Sequence, residues 1–226
     1  MLSAFSYWVS AQTTFFDKAD SFFKTYVDER GYVAYPIIQA NPEELNELVS
    51  LIEAAAYPSF SQDEKKAFLI NSYNILVIKQ VIDLSPINSP LDNSSFFNGI
   101  RHQVDGHNLT LDELEKGMFM MEFHDPRAHF VLVCAAKSCP PLANFAYRPD
   151  GIDNQLEERT KYVLNLDWFV PVKNNVEFSQ IFNWYRADFE KGGKTLVEYI
   201  NQYREEKLKE SKRYKFYEYD WALNIQ

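Results

Sequence analysis

The chain is short of glycine, cysteine, positive charge and long apolar runs, and each shortage narrows what it can be. It has only 7 glycines in 226 residues, and we find no internal repeat and no low-complexity tract. No linker stands out, so a single globular domain is expected over residues 12–226, within the common size range of one domain. Its 2 cysteines, Cys134 and Cys139, are too few for a disulfide framework and neither confirm nor exclude an oxidising compartment. A bridge between them would need Cα atoms within about 7 Å, which a tight turn permits and a straight strand forbids. No segment reaches the roughly 18 consecutive apolar residues of a membrane span, so no integral membrane segment is expected. With a formal net charge of −9 and a pI near 5.0, the chain would repel a phosphate backbone, which argues against nucleic acid as a partner. The basic stretch from Arg204 to Lys215 is interrupted by Glu205, Glu206 and Glu210 and reads as the solvated face of a helix. What the chain does have is apolar residues at 46% and aromatics at 16%, enough to bury a packed core.

The first twelve residues, MLSAFSYWVSAQ, are uncharged and apolar, with small Ala11 where a signal peptidase would cut. Residues 1–11 therefore read as the remnant of a secretory signal, and the domain as exported, periplasmic or secreted, with a cytoplasmic domain as the alternative. Phe15, Phe16, Ala19, Phe22, Phe23 and Tyr26 follow at helical spacing and predict an amphipathic helix over 13–30. Asn41-Pro42-Glu43-Glu44 predicts a helix capped by Asn41 and running to about Ala56. Ser61-Gln62-Asp63-Glu64 is a capping box that opens a buried helix through about Asp83. Asp105-Gly106 predicts a hairpin turn between 100–104 and 108–110, and Thr110-Leu111-Asp112-Glu113 caps another helix ending near Glu122. His129 to Cys134 reads as the best buried strand, followed by a proline-containing loop. Further helices are predicted over 152–166, 179–190 and 195–209, with a second hairpin over 168–178 around Asn174-Asn175. The fold class that follows is α+β, helices packed on a small, mostly antiparallel sheet.

Several segments, in order, resemble the domain of unknown function 547 family: Ala67 to Asn74, Leu109 to Glu115 with Gly117, Asp125 to Leu132, Cys134, Ser138 to Leu142, Ile181 to Tyr185 with Asp188-Phe189, and Tyr219 to Asn224. The resemblance covers about 60–224, and the DPRxHFxL…C…SCPPL block is its most specific part. No activity is established for that family. It resembles in turn the papain-like and transglutaminase-like cysteine enzymes, whose core is a helix on a small antiparallel sheet. Such enzymes place the nucleophilic Cys at the start of the central helix and its His on a following strand. Here that helix offers Asn71, Ser72 and Asn74 instead of Cys, while His129 sits where a strand is predicted to begin.

Acyl transfer at a thiol needs a thiolate, a base beside it and a group to orient that base. His129 is the candidate base, with Asn74 or Glu115 as the acceptor that fixes its tautomer. Alternation along a strand would turn Cys134 away from His129, so Cys139 is the first-choice nucleophile and Cys134 the second. The plainer alternatives are a structural or bridged thiol and a His satisfied by backbone. Asn71 and Asn74 share a helix face and read more simply as a polar network that pins a loop. Arg127 is a binding candidate whose simpler partner is an internal carboxylate. Trp184 and Tyr185 could line a groove for a peptide, glycan or small molecule, or belong to the core. The spacing of His124, His129, Cys134 and Cys139 is wrong for a zinc knuckle or helix pair, so no metal is expected, and no cofactor is implied. Two functions stay open: a non-catalytic binding or scaffold domain with an enzyme-like cleft, favoured because the helix lacks the Cys, and a thiol-dependent hydrolase or acyltransferase acting on an amide or ester bond.

Overall fold

A computed structural model describes residues 3–172, 176–209 and 213–226. Helix α1 (Ser3–Tyr26) buries Phe15, Phe16, Ala19, Phe22, Phe23 and Tyr26, the stripe its spacing predicts. Residues 3–11, read as part of a leader remnant, lie within this helix, whereas Met1 and Leu2 lie outside the described residues. The turn after α1 is built by Asp28, whose Oδ1 accepts the backbone N–H groups of Arg30 and Tyr32. Gly31 stands in this turn at φ +81°, and a Cβ there would lie 2.3 Å from the backbone nitrogen of Leu142. Only glycine satisfies both demands.

Helices α2 (Tyr35–Ala40) and α3 (Glu43–Glu53) follow. Asn41 does not cap α3 as expected: it ends α2, its side chain donating to Ile37 O, and Pro42 stands at the α3 N-cap without a side-chain bond. Helix α4 (Gln62–Leu84) opens with the predicted capping box, Ser61 Oγ accepting from Glu64 N while the Glu64 carboxylate accepts from Ser61 N. Length and composition would allow α4 to cross a membrane, but 78% of its apolar window is buried inside the protein, which marks a core helix. Strands β1 (Arg101–Val104) and β2 (His107–Thr110) form the predicted antiparallel hairpin, with Asp105 and Gly106 at positive φ. Thr110 and Glu113 exchange capping bonds, and the helix they open is wound as a π-helix over Glu113–Met120 before the short α5 (Met121–Phe123).

The predicted central strand over His129 to Cys134 does not form. Asp125 caps a 3-10 turn, Pro126–Phe130, that starts on Pro126, and the chain then runs irregularly to Ala135 at φ +61°. Its backbone groups find a side chain instead of a neighbouring strand: Asn74 Nδ2 donates to Val131 O and Asn74 Oδ1 accepts from Val133 N, both at 2.9 Å. A single buried amide thus replaces one rung of a sheet. Past Ala135 the chain pairs with the C-terminal segment, through an Ala136–Leu223 bridge and bonds from Lys137 N to Ala222 O and Ser138 N to Asp220 O. Val33 of the α1 turn bonds the same segment from its other side, its N–H donating to Asn224 O.

Helix α6 (Ile152–Leu164) lies close to the predicted bounds. Strand β3 (Val176–Phe178) pairs in parallel with β4 (Tyr214–Phe216). Asn174 and Asn175, the turn of the hairpin predicted over 168–178, lie outside the described residues, and of that hairpin an antiparallel bridge between Val172 and Val176 is present. The helix expected over 179–190 is broken at Tyr185 into α7 (Ile181–Trp184) and α8 (Arg186–Phe189). Helix α9 (Leu196–Tyr203) stops short of the predicted end at 209, because Arg204 turns inward to donate to Leu164 O and Glu206 O. Arg204 is therefore buried, not part of a solvated helix face, and residues 210–212 of that basic stretch lie outside the described residues. Among the described residues helices pack with two small strand pairs, one antiparallel and one parallel, and no central sheet, so the α+β class holds.

Candidate functional site

The π-helix, the 3-10 turn, the loop after it, α7 and the C-terminal segment together wall a cleft of about 330 Å³. His129 lies in its wall, buried to 4% exposure because the Asp125-Pro126 start winds the turn inward. Its Nε2 lies 2.8 Å from Asp188 Oδ2 on α8, and its Nδ1 lies 3.9 Å from Glu115 Oε1 on the π-helix. The imidazole stacks on Tyr185, with ring centroids 3.9 Å apart and an interplanar angle of 25°, and Phe189 meets it edge-on at 5.3 Å. Ring orientation is therefore fixed by an acceptor on one nitrogen and by packing against two rings.

The hydrogen bond from His129 holds the Asp188 carboxyl below its ordinary range, against some desolvation. Glu115 is pushed the other way: burial raises its carboxyl above the usual range, and His129, Lys116 and a hydrogen bond from Tyr185 offset this only in part. Burial, with the Glu115 charge behind it, also raises the Tyr185 and Tyr73 hydroxyls, so both stay protonated donors. Two carboxyls on either side of one imidazole are thus driven apart, Asp188 toward the ionised and Glu115 toward the protonated form.

Cys134 and Cys139 meet in the same cleft, bonded to each other with Cα atoms 6.3 Å apart. The tight turn that this requires is the one made by Ala135. In this bridged state Cys139 is not the free nucleophile expected, and neither is Cys134, since a disulfide sulfur offers no thiolate. The Tyr219 hydroxyl donates to Cys139 Sγ at 3.1 Å and lies 3.3 Å from Cys134 Sγ, while Cys134 N donates to Cys139 Sγ at 3.0 Å. Trp184, Tyr219 and Trp221 pack around one another as the outer wall, with the Trp184 and Trp221 rings stacked at 5.7 Å and Trp184 47% exposed. Behind Cys139, the Ser138-to-Pro141 loop separates this cleft from a second cavity of about 500 Å³ lined by Lys137, Tyr162 and Trp168.

Of the residues singled out from sequence, His129, Glu115, Cys134, Cys139, Trp184 and Tyr185 converge on the cleft. Asn74 does not orient His129; its amide is consumed by the backbone of Val131 and Val133, and Asp188 takes the role assigned to it. Asn71 likewise bonds Ala67 O and both backbone groups of Tyr147. Arg127 is held internally by Asp125 at 2.8 Å and by Asp153. His124 stands apart from the cleft, in a shallow hollow with Lys116, Asp188 and Lys191. Among the described residues no group of three or more His, Cys, Asp or Glu is arranged to hold a metal ion. The sequence reading missed Asp188 as the partner of His129, although Tyr185, Asp188 and Phe189 at i, i+3 and i+4 put a carboxylate and two rings on one helical face. It also missed Tyr219 and Trp221, visible only as a motif whose contacts are 80 residues and more from the cysteines.

The fold and cleft define an α+β domain with a carboxylate–imidazole–carboxyl cluster beside a disulfide. Residues 57–163 match the model of the family described as "Protein of unknown function, DUF547", which bears out the resemblance over that stretch. No curated protein and no solved structure matches the chain.

Proposed function

We propose that this domain is a binding module that carries out no acyl transfer, and that its aromatic cleft holds a peptide, glycan or small molecule with an apolar face and a polar group directed at His129 and Glu115. One observation carries the reading: the cysteine sulfurs are tied to each other beside an imidazole already bonded to Asp188, while a partly exposed wall of Trp184 and Trp221 faces the opening. Such a site, apolar with a few convergent polar groups, is suited to hold a ligand without acyl attack on it. Titration with a panel of tripeptides and oligosaccharides such as maltotriose, followed by tryptophan fluorescence, tests it. Saturable quenching that Trp184→Ala abolishes is expected; His129-dependent turnover of an ester such as p-nitrophenyl acetate by the fully bridged protein would sink it.

A thiol-dependent hydrolase or acyltransferase is the second reading, favoured by the His129–Asp188 hydrogen bond, which supplies a base and its orienting acid in the cleft that holds the sulfurs. It requires the reduced protein. Ester cleavage that appears on reduction and is lost when iodoacetamide labels Cys139 would favour it over the first. We also propose that the domain is exported, periplasmic or secreted, and the bridge supports this because such bonds persist outside the reducing cytosol. Fractionation that recovers the chain only in the cytosol, with both thiols reduced, would refute export.

A further inference from the structure

We propose that the Cys134–Cys139 bridge is an exchangeable redox centre that oxidises a dithiol, small or peptide-borne, entering the cleft. Three observations carry this. The bridge spans a sequence separation of only 5 residues, so the loop-closure entropy it removes from the unfolded chain is at the low end for disulfides. It stands in the wall of the His129 cleft, with Cys134 half-buried and Cys139 buried. Above all, the two sulfurs are supported unequally: Cys139 Sγ receives both the Cys134 backbone N–H and the Tyr219 hydroxyl, while among the described residues Cys134 Sγ has one polar contact within hydrogen-bond distance, the same Tyr219 oxygen. Donors converging on one sulfur stabilise the thiolate that leaves when the bond breaks, and a more stable leaving thiolate departs faster.

The accessible and the leaving sulfur are therefore different atoms. A ligand thiolate attacks Cys134 Sγ, the bond between Cys134 and Cys139 breaks, and its electron pair goes to Cys139 Sγ beneath the Cys134 N–H and the Tyr219 O–H. The ligand's second thiolate attacks the ligand sulfur of the mixed disulfide and expels Cys134 as a thiolate. The ligand loses two electrons and two protons and gains a disulfide bond; the cysteine pair gains the two electrons, and the protons pass to the two cysteines or to solvent. A second disulfide-bearing molecule returns the pair to the bridged form by the reverse exchange.

The test uses the whole chain with dithiothreitol as the dithiol and oxidised glutathione as the disulfide. In the reduced protein, thiolate absorbance near 240 nm should show one cysteine ionising at least one pH unit below the free value of about 8.5. Tyr219→Phe should slow reduction of the bridge by dithiothreitol by about tenfold, with thermal stability little changed, and Cys139→Ser should trap glutathione on Cys134, seen by mass spectrometry. Both thiols ionising at or above about 8.5, or a native bridge reduced no faster than the protein unfolds, would overturn the proposal. Should Tyr219→Phe fail to fold, the titration of the unmodified protein decides alone. None of these readouts depends on which ligand occupies the cleft, so a silent binding panel and a failed redox test are separate results.

Discussion

Removing the amide of Asn74 tests how the cleft wall is held. The residue is 2% exposed and makes one bond to Val131 O and one from Val133 N, each 2.9 Å. Asn74→Ala leaves a buried carbonyl and a buried N–H without partners, at about 1–3 kcal/mol each, and opens a small cavity besides. A loss of about 4 kcal/mol is expected, a large part of the 5–15 kcal/mol typical of a domain. At roughly 2–4 °C per kcal/mol for a chain of this size, the melting temperature should fall by about 12 °C. Urea unfolding of the bridged protein followed by circular dichroism measures this directly, with Asn183→Ala as control, since that residue is exposed and bonds only Gln180 Oε1. Asn74→Asp adds a second reading. Its carboxylate can accept from Val133 N–H but faces the Val131 carbonyl without a proton to give, so the deficit should shrink as pH falls and the carboxyl protonates. If Asn74→Ala loses less than about 1 kcal/mol, or no more than the control, other contacts hold residues 131–133 and the account of the missing strand is wrong.

Glu115→Gln should change the pH dependence of stability. Burial raises the Glu115 carboxyl above its unfolded value, so its contribution favours folding at low pH and is lost as pH rises through the raised folded pKa. The variant should gain on the wild type from about pH 4 upward in urea midpoints; a difference that does not vary with pH would contradict the buried-acid reading. Asp125 carries the opposite sign. Burial pushes its carboxyl up, but hydrogen bonds and charge from Arg127 more than reverse this, so its contribution is present above the unfolded pKa and lost as pH falls through the depressed folded one. Arg127→Met should cost about 3 kcal/mol at neutral pH and less in acid, measured in the same unfolding series. Gly31→Ala should cost about 3 kcal/mol or more by calorimetry, since it forces a side chain into positive φ and against the Leu142 backbone; a cost below about 1 kcal/mol would show that the turn can move away from the SCPPL loop.

Elements that depend on neighbours in sequence were legible before the structure: the α1 stripe, the capping box at Ser61, the Asp105-Gly106 hairpin and the helix beyond Gly151. The segment after Ala128 was not, because four consecutive apolar residues, Phe130 to Val133, look the same whether they are buried by sheet partners or by helices. What decided the matter was Asn74, more than 50 residues away, whose amide satisfies the backbone. The cleft was half legible. His129 and both cysteines share one motif block, and their proximity follows from it, but Asp188 and Tyr219 arrive from 59 and 80 residues away along the chain. No local pattern encodes such distances.

Several of the chain's departures from local rules converge. A carboxyl buried among tyrosines, a π-helix in place of an α-helix, a histidine wound into a 3-10 turn instead of a strand and an alanine in left-handed backbone each cost free energy relative to the ordinary choice. Scattered through the fold, they would be defects; here the π-helix carries Glu115 to within 3.9 Å of His129, the 3-10 turn presents that imidazole to Asp188, and the alanine closes the turn that joins the cysteines. Glu115, His129 and both cysteines border one cleft, with Asp188 bonded to His129 and Ala135 next to Cys134, while the core around α4 keeps ordinary helical geometry. Unusual backbone also occurs away from this cleft, at Asp105 in the hairpin and at His124, but here it brings an imidazole, two carboxyls and a disulfide together, the arrangement that selection for a site produces. That distribution is the physical reason to look for this domain's function between Glu115, His129, Asp188 and the disulfide rather than anywhere else on its surface.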